Sequence, residues 1–242
     1  MNSKKNPFLS IIIPIFNEEK RLKKLYEIVT FLKKQKYSWE LIIVDDGSTD
    51  RTYKILKPIK DKLRSKLISY NPNVGKGSAI RTGMLTAKGE YRLFLDIDLS
   101  TPIEELEKFL PFLKEYDIVI GSRKMKLSNV IIRQPFIREM LGKMFTQLSQ
   151  RILQMQVSDF TCGFKCFSKK ASDYIFSRQR IDRWGFDSEV LYIGKQGGFS
   201  IKEIPVSWKN DPRTKVKFPQ DILNSLGELI KIRINSTTGM YK

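Results

Sequence analysis

The 242-residue sequence predicts an α/β fold, a mostly parallel, Rossmann-like central sheet flanked by helices. Three observations carry the prediction. Over residues 1–121, short β-branched runs alternate with stretches of helical period, the pattern of successive βαβ units. Those runs are continuously apolar, as in strands covered on both faces. Polar clusters follow the ends of four of them, and ligands bind at that edge of an open α/β sheet.

The elements follow in order. LSIIIPIF, from Leu9, reads as strand one; Pro14 stops pairing, and Asn17 with Glu18 offers polar groups at the sheet edge, unless Asn17 only caps the helix expected over Glu18–Lys34. WELIIVDD is strand two, after which Asp50 is placed to cap a helix over Asp50–Leu63. KLISY is strand three, and a helix over Gly77–Ala87 leads to strand four, YRLFLDID. The helix over Pro102–Leu113 has Ser100 or Thr101 as N-cap, Pro102 at its first position and acids in its first turn. YDIVIGS is strand five. Beyond it, Ile137, Met140, Leu141, Met144, Phe145, Leu148, Ile152 and Met155 form one apolar helix face, by default core-facing, alternatively resting on membrane lipid. A segment SDFTCGFKCFS, a helix, RWGFDSEVLYIGKQGG, a strand SIKEIPVSW, a basic loop KNDPRTKVKF and an amphipathic segment Pro219–Ile234 complete the chain. No repeat or linker interrupts it, so one domain over 1–242 is expected.

Composition narrows the chemistry. With 41% hydrophobic residues the chain can build a core. There is no apolar run of about 18 residues, and MNSKKNPF lacks the apolar core of a signal peptide, so a cytoplasmic protein without a spanning helix is expected. Cys162 and Cys166 are the only cysteines and there is no histidine, which leaves zinc without a ligand set and favours free buried thiols. The missing histidine also excludes Ser-His-Asp and Cys-His catalysis. Chemistry must rest on carboxylates, metal and basic groups. Net charge is +18, which calls for a polyanionic partner or an anionic membrane surface. From Arg123 to Arg151, seven basic residues face one acid, Glu139.

The motifs specify more. Asp96 and Asp98 stand two residues apart at the end of strand four; alternate strand residues share a face, so the pair would repel unless a cation lies between them. Mg²⁺ or Mn²⁺, hard cations that leave positions open for phosphate oxygens, would suit. Asp45 and Asp46 end strand two, where a carboxylate can accept from a nucleobase or ribose. NPNVGKGSAIRTG is not a Walker loop, yet its turn around Lys76 and Gly77, with Arg81 one turn on, presents amides and cations to an anion. A nucleic-acid binder would explain the charge but not acids gathered at one sheet edge, so no nucleic-acid partner is expected.

In this order, SIIIPIFNEE, IIVDDGSTD, NVGKGSAIRTG, LDIDLSTP and IVIGSR resemble the glycosyltransferase family 2, densely from Leu9 to about Arg123. SDFTCGFKCF, RWGFDSEV and IKEIPVSW are similar to later motifs of its polyprenyl-phosphate hexosyltransferase branch, dolichyl-phosphate β-glucosyltransferases in particular. The resemblance implies the GT-A fold, with a nucleotide-sugar half over 1–121 and an acceptor-side extension over 122–242. It implies inverting transfer of a hexose, glucose from UDP-glucose first, onto a polyprenyl phosphate at the cytosolic membrane face; GDP-mannose as donor or a glycan hydroxyl as acceptor are the alternatives. By the same likeness Pro14, Phe16 and Glu18 line a base and ribose pocket with Asp45 and Asp46, and Asp96 and Asp98 bind the metal bridging the diphosphate. Ser100 stands where mannosyltransferase relatives often carry Gln, and Gly142 where some relatives carry Ser. Arg123 and Arg138 match positions facing the phosphates, with Lys209, Arg213 and Lys215 as further candidates. Asp159 is the candidate base for a hydroxyl acceptor; for a lipid phosphate, already ionised, it would instead position the acceptor or a basic partner.

Overall fold

A computed structural model describes residues 6–213 and 220–242; Lys215 and Pro219 lie outside the described residues. The central sheet is built from β1 (Leu9–Ile15), β2 (Trp39–Asp46), β3 (Ser65–Tyr70), β4 (Tyr91–Leu95), β5 (Ile118–Ser122), β7 (Phe164–Ser168) and β8 (Ile201–Pro205), in the order β3-β2-β1-β4-β7-β5-β8. Every pairing is parallel except those of β7, which runs antiparallel between β4 and β5. This is the mostly parallel sheet expected. Successive residues of β1 alternate between two cores: Leu9, Ile11 and Ile13 pack on one face, Ile12 on the other with Ile42, Val44 and Phe94.

Helices cover both faces. On the first side lies α1 (Lys24–Lys33), which sends Leu25, Ile28 and Leu32 into the first core. On the other lie α3 (Lys76–Thr86), α6 (Lys169–Arg178) and α7 (Phe186–Gln196), which send Ala79, Ile175 and Val190 into the second. The expected helix over Glu18–Lys34 starts late, because residues 19–23 are turns. The second, α2 (Thr52–Ile59), is shorter than Asp50–Leu63 and carries Pro58 near its end. The helix expected over Pro102–Leu113 breaks into a 3₁₀ turn (Ile103–Glu105), α4 (Leu106–Phe109) and a second 3₁₀ turn (Leu110–Phe112) with Pro111 in its first positions. Pro102 itself takes the extended cap conformation, so neither Ser100 nor Thr101 caps it.

The second half departs further from expectation. SIKEIPVSW is two strands: β8 ends at Pro205, and after Val206 the chain enters β9 (Ser207–Lys209), which pairs with β6 (Asn129–Ile132) in a separate two-stranded ribbon. Val206 still donates its N–H to the Ser122 carbonyl, so the bend is pinned to β5. Helix α5 (Phe136–Leu153) forms where its period requires, but only part of its apolar face meets the core: Phe145 and Ile152 pack against the second core with the following Met155, whereas Ile137, Met140, Met144 and Leu148 are exposed, and Thr146, Ser149 and Leu153 are buried. The last helix, α8 (Gln220–Thr237), packs against α5 and α7. Among the described residues no helix is long and apolar enough to cross a membrane. Both cysteines are free and buried.

Candidate active site

A cleft of about 1420 Å³ opens at the C-terminal edge of the sheet. Its floor and one wall come from residues 14–18 at the end of β1, Asp46 ending β2, Gly75 and Lys76 opening α3, and Asp96 to Asp98 after β4. The opposite wall is formed by Arg123 after β5, the ribbon of β6 and β9, and the inner side of α5 with Arg138, Gly142 and Lys143.

Asp96 and Asp98 lie beyond the end of β4, in a turn rather than on a strand, and both still face the cleft. Leu99 takes a left-handed φ of 46°, and its N–H returns to the Asp96 carbonyl (3.1 Å). Lys24 of α1 donates to the Asp98 carbonyl, Ser100 N–H to the Asp98 carboxylate (2.9 Å), and Lys209 N–H to the Ser100 carbonyl (2.8 Å). The turn is therefore closed on itself and held from outside by α1 and β9. Lys76 Nζ sits 2.7 Å from Asp96 Oδ1. Burial, then the neighbouring Asp96, push the Asp98 carboxyl above the usual carboxylate range. A Cβ on Gly163 would lie 2.1 Å from Asp96 Oδ2, so glycine is required there for Asp96 to keep its place.

Among the described residues no group of three or more His, Cys, Asp or Glu is arranged to hold a metal. The pair of carboxylates nonetheless fits a divalent cation. Asp96 disfavours the charge of Asp98 beside it in the cleft, and Lys76 already supplies one positive charge to Asp96. A metal held this way would take its remaining ligands from phosphate oxygens and water.

At the nucleotide end, Pro14, Phe16, Asn17 and Glu18 line the cleft. Asn17 has a φ of 52°, and its side-chain oxygen accepts from the N–H groups of Thr49 (2.7 Å) and Asp50 (3.2 Å), tying the two strand-end turns together. Asp50 in turn accepts from Thr52 N–H (2.9 Å). Glu18 binds Arg21 (2.8 Å), which also reaches Asp211 (3.1 Å), itself chelated by Arg213. The loop after β9 is thus fastened to the start of α1, and the Asp211 carboxyl is held well below the usual range by Arg213 and Arg21. Asp46 accepts from Asn73 Nδ2 (2.6 Å) and from the N–H groups of Val74 (3.0 Å) and Gly75 (2.9 Å), shaping the loop that presents Lys76. Gly75 has a φ of 137° and a Cβ there would lie 2.3 Å from the Asp182 carbonyl oxygen.

Several expected residues lie elsewhere. Asp45 is buried away from the cleft, accepting from Ser48 N–H (3.2 Å) and Ser69 (3.0 Å), because the last residues of a strand point to opposite faces and Asp46 takes the cleft side. Gly77 is buried in the first turn of α3, against the Ile181 carbonyl and Phe186. Arg81 points down that helix to Asp182 (3.0 Å). Lys209 contributes its backbone but its exposed side chain does not line the cleft.

On the acceptor wall, Asp159 is fully buried behind Arg123 and does not reach the cleft surface. It grips the guanidinium twice (2.7 Å each) and the Arg123 N–H (3.0 Å), so its carboxyl is held well below the usual range. Thr161 (2.8 Å) and the Trp208 ring, 5.5 Å away, complete the seat of Arg123. Glu203 holds the same turn by accepting from Ser158, whose hydroxyl meets that of Ser122 (2.7 Å). Burial and then the like charge of Arg123 lower the Arg138 guanidinium. Lys124 is lowered by burial, with Arg123 and Lys143 adding to it. These cations crowd one another, the condition an anion would relieve.

Sequence reasoning missed Arg21, Lys24, Asp187 and Lys165. The first two read as ordinary helix charges. Asp187, in the first turn of α7, reads as a dipole-stabilising acid; in the fold it lines the cleft and is ion-paired with the fully buried Lys165. Trp184 also lines the cleft, with Lys76 Nζ 5.5 Å from its ring centre.

Residues 10–176 match the family model described as glycosyl transferase family 2. The chain is 34% identical over 252 residues to a dolichyl-phosphate beta-glucosyltransferase of Homo sapiens, and 33% identical over 257 residues to one of Saccharomyces cerevisiae; each match covers 97% of this chain and 77% of the relative. Among solved structures it resembles glucosyl-3-phosphoglycerate synthase from Mycobacterium tuberculosis in complex with Mn²⁺, uridine-diphosphate-glucose and glycerol 3-phosphate, with a TM-score of 0.66 at 19% identity over 96% of this chain and 80% of that one. Staphylococcus aureus TarS 1-349 in complex with UDP-GlcNAc is also similar, with a TM-score of 0.58 at 20% identity over 94% of this chain and 66% of that one. At these identities the structural likeness shows the fold, GT-A.

Proposed function

Because the chain belongs to glycosyltransferase family 2, we propose that it is an inverting, divalent-metal-dependent enzyme that moves glucose from UDP-glucose onto a polyprenyl phosphate of the dolichyl class. The reaction belongs at the cytosolic face of a membrane, whose anionic surface attracts the basic side of the protein. One observation carries the reading: charge is divided across the cleft. Carboxylates stand on the donor wall, and Arg123, Lys124 and Arg138 on the acceptor wall, where the buried Asp159 is kept ionised by Arg123. A carboxylate so firmly ionised is a poor proton acceptor, and an acceptor that is already an anion needs none.

Asp96 and Asp98 would hold Mg²⁺ or Mn²⁺, which when bound offsets the charge of the diphosphate leaving group. Lys76, beside Asp96, is placed to contact the same phosphates. Arg123, clamped by Asp159 and Thr161, and Arg138 across from it receive the acceptor phosphate. One acceptor oxygen attacks C1 of the glucosyl group in line. The C1–O bond to the diphosphate breaks with its electron pair leaving on UDP, and the anomeric centre inverts. No proton is removed. The task of the protein is to bring two anions together: at ~5 Å and an effective dielectric of 20 they repel by about 3 kcal/mol, which the cationic wall offsets.

The test is transfer of labelled glucose from UDP-glucose into dolichyl phosphate, with GDP-mannose and undecaprenyl phosphate in parallel, with and without Mn²⁺ or Mg²⁺. Label in the lipid that requires metal and is lost in Asp98→Asn is the expected result. Metal-dependent UDP-glucose binding without lipid label would move the acceptor to another chemistry.

A further inference from the structure

Two carboxylates with no part in the transfer, Glu189 fully buried and Glu228 partly buried, are aimed at one loop. The loop, residues 179–185, joins α6 to α7. Glu189, in the first turn of α7, accepts from the N–H groups of Arg180 (3.0 Å) and Ile181 (2.8 Å). It also accepts from the Tyr241 hydroxyl (2.7 Å), which in turn accepts from Asn235 Nδ2 (3.2 Å). Glu228 of α8 accepts from Gly185 N–H (2.7 Å). Backbone donors at both ends of the loop are thus bonded from outside it, by acids. The other side of the loop meets the turn that presents Lys76. The Asp182 carbonyl accepts from Ser78 N–H (3.1 Å), and the fully buried Gln179 amide donates to the Gly77 carbonyl (3.0 Å) and to the Ile181 carbonyl (2.9 Å). Arg81 reaches back to the Gln179 carbonyl (3.1 Å) and the Asp182 carboxylate (3.0 Å). Lys76 Nζ itself stands 5.5 Å from the centre of the Trp184 ring and 5.9 Å from that of Phe186. Lys76 therefore rests on the loop through its neighbours in sequence and through the rings that flank its ammonium.

We propose that Glu189 and Glu228 are positioning residues for the donor diphosphate: by fixing the backbone of the 179–185 loop they fix the place of Lys76. A lysine needs such a seat. Its ammonium rides on a flexible four-carbon stem, and a charge that stabilises a leaving group is effective only where it is held in advance. Asp96 holds Lys76 from the cleft side (2.7 Å), and the loop holds it from behind. An acid suits position 189 because three donors converge on it. Both carboxylate oxygens accept, whereas a glutamine would turn its NH₂ group toward one of those donors. Glu228 brings in the last helix, which packs against α5 and α7 and sends Asp221 and Ser225 to the cleft, so α8 also acts on the donor side. The inference rests on the function proposed above for the identity of the ligand, a nucleoside diphosphate, and not for the contacts.

Titration calorimetry of the full chain with UDP and Mn²⁺, joined to amide hydrogen exchange, tests it. Glu189→Gln and Glu228→Gln should each weaken UDP binding about fivefold or more, and Tyr241→Phe about twofold, with melting temperature within a few degrees of the unaltered chain. In a Lys76→Met background the same substitutions should change UDP binding by less than about twofold, because a residue that acts through Lys76 has nothing left to act on. Amide exchange over residues 73–78 and 179–185 should be faster by about tenfold in Glu189→Gln and unchanged in β1 and β4. If Glu189→Gln melts early, Glu228→Gln and Tyr241→Phe supply the same comparison. UDP binding unchanged in all three variants would overturn the proposal by detaching the loop from the donor. So would a loss that persists in full beside Lys76→Met, which makes the two acids general supports of the fold. Failure of the unaltered chain to bind UDP would count against the donor itself, while exchange still decides whether the acids hold the turn of Lys76.

Discussion

The Asp96–Asp98 motif shows what single residues reveal and conceal. The pair of acids, its place at a strand end and its call for a cation were legible, since they depend only on identity and spacing. The environment that positions them was not. Lys76, Lys24 and Lys209 approach from three other segments, and Gly163, 67 residues further on, leaves the space that Asp96 fills. Asp45 and Asp46 differ for the same reason: one residue's shift along a strand turns one carboxylate inward and the other to the cleft. Asp159 is a further case, because only the fold reveals that its partner is Arg123. Gly163 gives the sharpest prediction at this scale. Its φ is not left-handed, so alanine costs the backbone little, but the new Cβ would stand 2.1 Å from Asp96 Oδ2 and displace it. Gly163→Ala should lower metal-dependent UDP binding about tenfold or more while changing melting temperature by only a few degrees. Titration calorimetry with UDP, with and without Mn²⁺, checks this; binding equal to the unaltered chain would detach Asp96 from the metal.

At the scale of elements, the five strands of the first half were legible because each is a short run centred on β-branched or other apolar residues and set between stretches of helical period. Strand β7 was not, and its sequence explains why. FKCFS carries Lys165 in the middle of the sheet, a residue that composition assigns to the surface, and here it is fully buried. Its ammonium donates to the Cys162 carbonyl (2.7 Å) and to Asp187 at the start of α7, so a single ion pair joins an antiparallel strand to the helix beneath it. Helix α5 was legible in period but not in orientation, since periodicity identifies an apolar face without saying what that face meets. Breaking the Lys165–Asp187 pair tests how far it holds the two elements together. Lys165→Met leaves a buried carboxylate without its partner and should cost about 3–5 kcal/mol, read as a large fall in melting temperature. Adding Asp187→Leu should return most of that stability, because no uncompensated charge remains. If the double variant is no more stable than the single, the loss lies in packing around Phe94 and not in the stranded charge.

The whole molecule has one property that turns pH into a clean probe: it contains no histidine. The buried thiols are pushed up to about 11 at Cys162 and about 12 at Cys166, and the Tyr37 hydroxyl to about 12, all chiefly by burial. On the acid side, Asp159 and Asp211 are held below their ordinary value. Their contribution to stability is therefore complete above about pH 4 and lost as pH falls through their folded values. Glu189 is raised by burial, so its contribution runs the other way and declines as pH climbs from about 4.3 to its folded value. Melting temperature should accordingly change little between about pH 6.5 and 8.5, the range in which histidine would otherwise act. Activity should still fall on the acid side, because the second ionisation of a phosphate monoester lies near pH 6 and the monoanion is the weaker nucleophile. The acid limb then belongs to the acceptor and not to the protein. Replacing the lipid phosphate by a phosphonate of higher second pKa should move that limb upward, with melting temperature unchanged at every point. A limb that stays in place when the acceptor changes would belong to a side chain, and would return proton removal, and with it a hydroxyl acceptor, to the reaction.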